Sequence, residues 1–259
     1  RMVSIFEENE KELTDIPEEI VNLFGYPCLA NSLMFKEQEI PGYDKETILK
    51  YIKTHKFPTL NSLCDYICSL TNDIDKLFAI FCWEVLYIQY DNKEFKTEVK
   101  VVKNDNNNTE DEYDRKPDLK LINEIFQKKR AVCRGYVEFF IELSKYVKVD
   151  KSQIRMSKYR NIAKSDNFNF FKPPTQEKSD HCSICVKING IPYICEPTWA
   201  TNLRKNPEDD VESHLFLIPI MKTISDHFPC NESIQLIPFK IKLTDFVKSS
   251  QISINQFDL

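Results

Sequence analysis

Glycine is scarce in this chain. Four glycines in 259 residues, against an average of about 7%, make each one a position that asks for a local reason. Also missing is any apolar run of about 18 residues, the length a spanning helix needs, and any charged-then-apolar leader. Neither membrane insertion nor secretion is expected on that basis. No long basic run occurs: 35 Lys and Arg stand against 40 Asp and Glu, a net charge of −5, and nothing advertises nucleic acid as a partner. No internal repeat is present. The nine cysteines are an odd number at irregular spacings, in a chain too long to need disulfide staples. That favours free thiols in a reducing compartment, and a cytoplasmic location is expected. The sequons at Asn107 and Asn231 are read as chance occurrences on the same ground.

What is present is enough apolar sequence for a buried core. The first 71 residues are expected to form an N-terminal extension packed on a core domain of residues 72–259. Within the extension, "DKETILKYIKTH" is an amphipathic helix with Asp44 as N-cap. "TNDIDKLFAIFCWEVLYIQYD" places Ile74, Leu77, Phe78, Phe81, Val85 and Ile88 at helical spacing behind Asn72 or Asp73. The polar tract from Asn104 to Asp118 reads as an exposed loop. Behind Asp118, "DLKLINEIFQKKR" is helical again, closed by Lys128 to Arg130 as the helix dipole favours. After a break at Ala131 and Val132, "CRGYVEFFIELSKYV" is a further helix with Cys133 at its start. "QIRMSKYRNIA" alternates like a strand, and the residues beyond His214 mix strand-like pieces with proline turns up to a cap at Thr244. Helices first and a sheet afterwards point to an α+β fold.

The stretch "DHCSICVKINGIPYICEPTW" carries one histidine, three cysteines and a glutamate around an Asn-Gly pair. Two alternating apolar runs separated by Asn-Gly specify a hairpin with a two-residue type I′ turn, and Gly190 is the residue that lets it turn. The turn sets the register: Ile188 faces Ile191, Val186 faces Tyr193, Ser183 faces Glu196 and His181 faces Thr198. One face then holds Cys182, Ile184, Val186, Ile188, Ile191, Tyr193 and Cys195 as core. The other holds His181, Ser183, Cys185, Glu196 and Thr198. Cys182 and Cys185 have the spacing of a zinc half-site, but three residues apart in a strand they point to opposite faces, so no metal is expected there. A redox pair is disfavoured too, because that motif needs a helix start. His181 and Glu196 become diagonal neighbours on one face, about 7–8 Å apart at Cα. A carboxylate there can fix the imidazole tautomer and stabilise the imidazolium; alternatively the two form an edge-strand ion pair of no catalytic consequence.

Cys133 is the candidate nucleophile, since a thiol at a helix N-terminus sees partial positive charge and unpaired N–H groups; the bland alternative is a buried filler residue. Gly135 would let its helix approach another element closely. His55, His214 and His227 are read as structural or surface residues, and Cys64 and Cys68 as core contacts. Trp83 is read as core.

Taken together, "KKRAVCRGYVEFFIELSKYV" resembles the nucleophile helix of the transglutaminase-like superfamily. "HCSICVKINGIPYICEPTW" resembles its His strand, turn and acidic strand. "DKLFAIFCWEVLYIQYD" and "HLFLIPIMKTISDHFPCNESIQLIPFKIKLTDF" are similar to the preceding helix and C-terminal segment of the kyphoscoliosis peptidase branch, related to fungal cytokinesis proteins. The resemblance runs from about Asn72 to Phe246. It implies a papain-like α+β core with Cys133 as nucleophile, His181 as base and Glu196 as third member, performing acyl transfer through a thioester as a cysteine peptidase or an amide cross-linker. It implies no cofactor and no metal, and a protein substrate. The sequence departs from the family pattern where Glu196 replaces an aspartate, where Ser183 and Ile184 replace tryptophan and asparagine, and where Ala131 replaces a glycine. The alternative implied by these departures is a non-catalytic module that binds a protein partner, with cytoskeletal association suggested by the relatives.

Overall fold

A computed structural model describes residues 40–91, 113–164, 179–206, 209–230 and 243–248. Residues 1–39 of the expected extension, most of the polar tract, the loop around Pro173 and Pro174, and both sequons lie outside the described residues. The described residues divide into a larger compact unit, drawn from 40–159 and 182–218, and a smaller one, drawn from 160–181 and 219–248.

The helices of the larger unit begin where local chemistry says they should. Helix α1 (Lys45–Thr54) is capped by Asp44, whose side chain accepts from the Thr47 N–H, as expected. Helix α2 (Leu60–Ser69), for which no separate helix was expected, starts on a reciprocal capping box between Thr59 and Ser62, a pattern normally written with glutamate or glutamine at the third helical position. Helix α3 (Asp73–Tyr87) is capped by Asn72. It packs against α1. The expected apolar stripe understates α3: every residue from Leu77 to Val85 is buried, Glu84 included.

The short strand β1 (Gln89–Tyr90) follows α3 and pairs in parallel with β2 (Arg130–Ala131). Between them helix α4 (Leu119–Lys128) is capped by Asp118, as expected, and ends at Lys129 in the left-handed conformation with φ 52°. Helix α5 (Cys133–Tyr146) comes directly after β2 and packs on α3 and α4.

Strand β3 (Ile154–Ala163) precedes a hairpin of β4 (His181–Ile188) and β5 (Ile191–Cys195). The hairpin register is the expected one, from Ile188 opposite Ile191 to Val186 opposite Tyr193 and Ile184 opposite Cys195. Asn189 and Gly190 both take positive φ, 50° and 84°, as a type I′ turn requires. The register does not carry on to pair His181 with Thr198. Pro197 cannot donate to a strand ladder but suits the first turn of a helix, and helix α6 (Pro197–Leu203) starts there with Glu196 as its N-cap. A second correction concerns the faces of β4. It is an interior strand flanked by β3 and β5, and all its residues but Lys187 are buried, so Ser183 and Cys185 are covered just as the apolar face is.

The smaller unit contains the end of β3, strand β7 (His227–Pro229), paired antiparallel with it from Asn161–Pro229 to Ala163–His227, and helix α7 (Leu243–Lys248). Ile162, Phe228 and Phe246 form its small core. Thr244, expected as a cap, is the second residue of α7. Much of the remaining C-terminal sequence that reads as strand is tight 3-10 turn, at Ser213–Leu215 and Ile220–Ser225, with only a two-residue strand, β6 (Ile218–Pro219), between the turns. Helices and an antiparallel sheet together make the fold α+β. No helix among the described residues is long and apolar enough to cross a membrane.

Candidate functional site

Cys133 is the first residue of α5 and is 7% exposed. Its position is fixed from both sides. Ahead of it, the β2 segment is tied to the β1 segment by hydrogen bonds from the Gln89 N–H to the Lys129 carbonyl and from the Asp91 N–H to the Ala131 carbonyl, both 2.9 Å. Behind it, Tyr136 is fully buried and donates its hydroxyl to the Ile88 carbonyl at 2.8 Å. Gly135 permits the tight approach between these pieces: a Cβ there would lie 2.8 Å from the Ala131 Cβ, closer than carbon atoms tolerate. The expectation that Gly135 serves a close approach is therefore met. The N-cap residue is Val132, which has no side-chain acceptor, so no capping side chain competes for the amides of the first turn beside the thiol.

Lys129 reinforces the corner in front of Cys133. Its ammonium lies 4.0 Å from the ring centre of Trp83 and 3.9 Å from that of Phe126. Trp83 in turn stacks between Phe126 and Phe139, at 5.0 and 5.1 Å, so its reading as core holds. Burial pulls the Lys129 ammonium down to about 8, while the ring faces favour its charged form.

Glu196 lies between β5 and α6 and is fully buried. Its N–H donates to the Leu215 carbonyl at 2.9 Å, and as the N-cap of α6 its side chain is not spent on capping that helix. The Cys182 thiol is pushed well above its ordinary value, first by burial and then by Cys133, with Glu138 and Glu196 acting in the same direction and Lys158 opposing. Cys195 is raised in the same way, by burial foremost, with Glu196, Cys185 and Glu84 adding to it and the Leu217 N–H opposing. Both cysteines are inert core thiols, as their pattern predicts.

His181 is the first residue of β4 and is 8% exposed. The Ser179 hydroxyl donates to its carbonyl at 2.7 Å. In the same unit, its ring centre lies 5.7 Å from that of His227. His227 is the residue that sequence reasoning passed over. It is 2% exposed, and its Nδ1 lies 2.6 Å from Asp226 Oδ1 with both side chains buried. The signal was present in "SDHFP", where an acid directly precedes the histidine, but adjacency in sequence says nothing about burial. His55 and His214 are exposed or partly so and sit outside this grouping.

No protein-family model and no curated protein sequence matches the chain.

Proposed function

We propose that this chain is a thiol acyl-transfer domain, with Cys133 as nucleophile, His181 as base and Glu196 as the third member. The observation that carries the reading is Cys133 itself, the first residue of a 14-residue helix without a capping side chain, held in place by β2, Tyr136 and Gly135. A helix start of this kind stabilises a thiolate and offers backbone N–H groups to an oxyanion. His181 would take the thiol proton and Glu196 would hold the imidazole. The thiolate would then attack an amide carbonyl and pass through a tetrahedral oxyanion. The amine would leave with the proton from the imidazolium, and the thioester would be cleared by water or by a second amine, regenerating the thiol. A protein is the natural amide substrate, and the transglutaminase-like resemblance supports that class.

The test is the rate of Cys133 alkylation against pH, read peptide by peptide because eight other cysteines are present. The expected profile keeps a reactive thiolate well below about 8.5, the ordinary thiol value, and moves up towards it in His181→Ala. A profile that follows an ordinary thiol and is the same in His181→Ala refutes the reading.

The near-complete burial of Cys133 favours a second reading, a non-catalytic module of the same fold that binds a protein partner, cytoskeletal by resemblance. Under it Cys133→Ala keeps both partner binding and cellular function. Loss of function with partners retained overturns it.

A further inference from the structure

We propose that His181 and His227 together bind a divalent transition-metal ion, zinc by donor chemistry, with Asp226 as the carboxylate that orients His227. The two histidines present ligand atoms within 4.8 Å of each other, and both are buried. Two imidazoles on one tetrahedral zinc, with bonds of about 2.0–2.1 Å, stand roughly 3.3 Å apart, so small side-chain rotations close the gap. Nitrogen donors select zinc, copper or nickel over magnesium and calcium, which take oxygen.

The orientation of His227 is the second observation. Asp226 Oδ1 accepts from His227 Nδ1 at 2.6 Å, which places the remaining lone pair on Nε2. A histidine that donates one ring N–H to a carboxylate and ligates through the other nitrogen is the recurring supporting pattern of metal-binding histidines. The backbone is organised for it as well. His227 is paired with Ala163 across the β3–β7 ladder, and Asp180, next to His181, accepts the Ala163 N–H at 2.9 Å. The backbone at His227 and the side chain of Asp180, next to His181, therefore meet the same residue of β3, and the Lys164 N–H, one residue on, donates to the Asp226 carbonyl at 2.8 Å. Two imidazoles leave two tetrahedral positions for water or further donors. An ion here would hold the His181 lone pair that the proposed acyl transfer needs, making the metal an inhibitor. That consequence rests on the acyl-transfer reading, whereas the binding itself does not.

The experiment titrates the chelator-stripped full chain with zinc against a chromophoric competitor and records the cobalt-loaded spectrum. One equivalent is expected to bind, weakened tenfold or more in His181→Gln and in Asp226→Asn, with a cobalt spectrum lacking a thiolate charge-transfer band. Because His227 is buried within the β3–β7 ladder, the variants avoid it, and far-UV circular dichroism checks their folding. The absence of saturable binding, binding that survives His181→Gln, or a thiolate–cobalt band pointing to the cysteines overturns the site. Alkylation of Cys133 separates the two proposals: zinc binding at the histidines with an unaltered pH profile refutes the acyl-transfer reading and leaves the metal site standing.

Discussion

Replacing Glu84 is expected to stabilise the protein. Glu84 lies in the C-terminal half of α3 and is 0% exposed, and neither carboxyl oxygen has a hydrogen-bond partner among the described residues. Burial raises its carboxyl well above the ordinary carboxylate range. The sign follows from linkage. A carboxyl whose folded value is raised keeps its proton in the native state after the unfolded chain has lost it. Its contribution is therefore most favourable below about 4.3, the unfolded value. It is lost as pH rises above that, at a limiting slope of about 1.4 kcal/mol per pH unit until the native state also ionises. Independently of pH, an unsatisfied buried polar group costs about 1–3 kcal/mol. Glu84→Met, similar in volume and adaptable in shape, removes both costs. At neutral pH a gain of at least about 2 kcal/mol is expected, or a rise of about 1 M in the urea midpoint at a typical slope of about 2 kcal/mol/M. Glu84→Gln discriminates between the two costs, since it abolishes the titration but leaves a buried unpaired amide. Urea unfolding of the three proteins at pH 5, 6.5 and 8 is the assay. A wild-type-to-Met difference that does not change with pH refutes the argument, because it means the carboxyl titrates alike in both states.

Two further perturbations probe the frame around Cys133 and its neighbours. Gly135→Ala puts a methyl 2.8 Å from the Ala131 Cβ, and the backbone must give way; a loss of about 1–3 kcal/mol is expected from thermal melting, together with slower Cys133 alkylation as the α5 start is displaced. A melting temperature equal to wild type counts against the close approach. Thr59→Ala removes the acceptor for the Ser62 N–H at 3.1 Å and should cost about 1 kcal/mol while leaving the Cys133 profile untouched; equal stability in urea means the α2 cap contributes nothing.

Much of the fold was legible because it depends on neighbours in sequence. Asp44, Asn72 and Asp118 cap helices through hydrogen bonds two or three residues long, and a side chain can reach that far whatever the rest of the chain does. The Asn-Gly turn likewise imposes the β4–β5 register by its own dihedral angles. The structure departs from the local pattern where that pattern meets a competing local rule or a distant contact. Thr198 continues the strand alternation, but Pro197, one residue earlier, favours a helix start. Thr244 has the chemistry of a cap, but α7 begins one residue before it. The two covered faces of β4 had no sequence signature, because Ser183 and His181 look like residues of a solvated face. The α2 cap lacks the usual sequence signature, because a serine, rather than a glutamate or glutamine, completes its capping box.

For the candidate site the division follows the same physics. By itself the sequence determined that Cys133 starts a helix, that Gly135 serves a close approach, and that Cys182 and Cys185 part to opposite sides of a strand. Each of these rests on periodicity, turn chemistry or the size of a single residue. Only the tertiary structure decided that Glu84 is fully buried without a hydrogen-bond partner among the described residues, that Lys129 lies over Trp83 and Phe126, and that Asp226 holds His227 beside His181. Those outcomes depend on which segments far apart in the chain exclude water from one another, and burial of that kind leaves no periodic mark on the residues that undergo it.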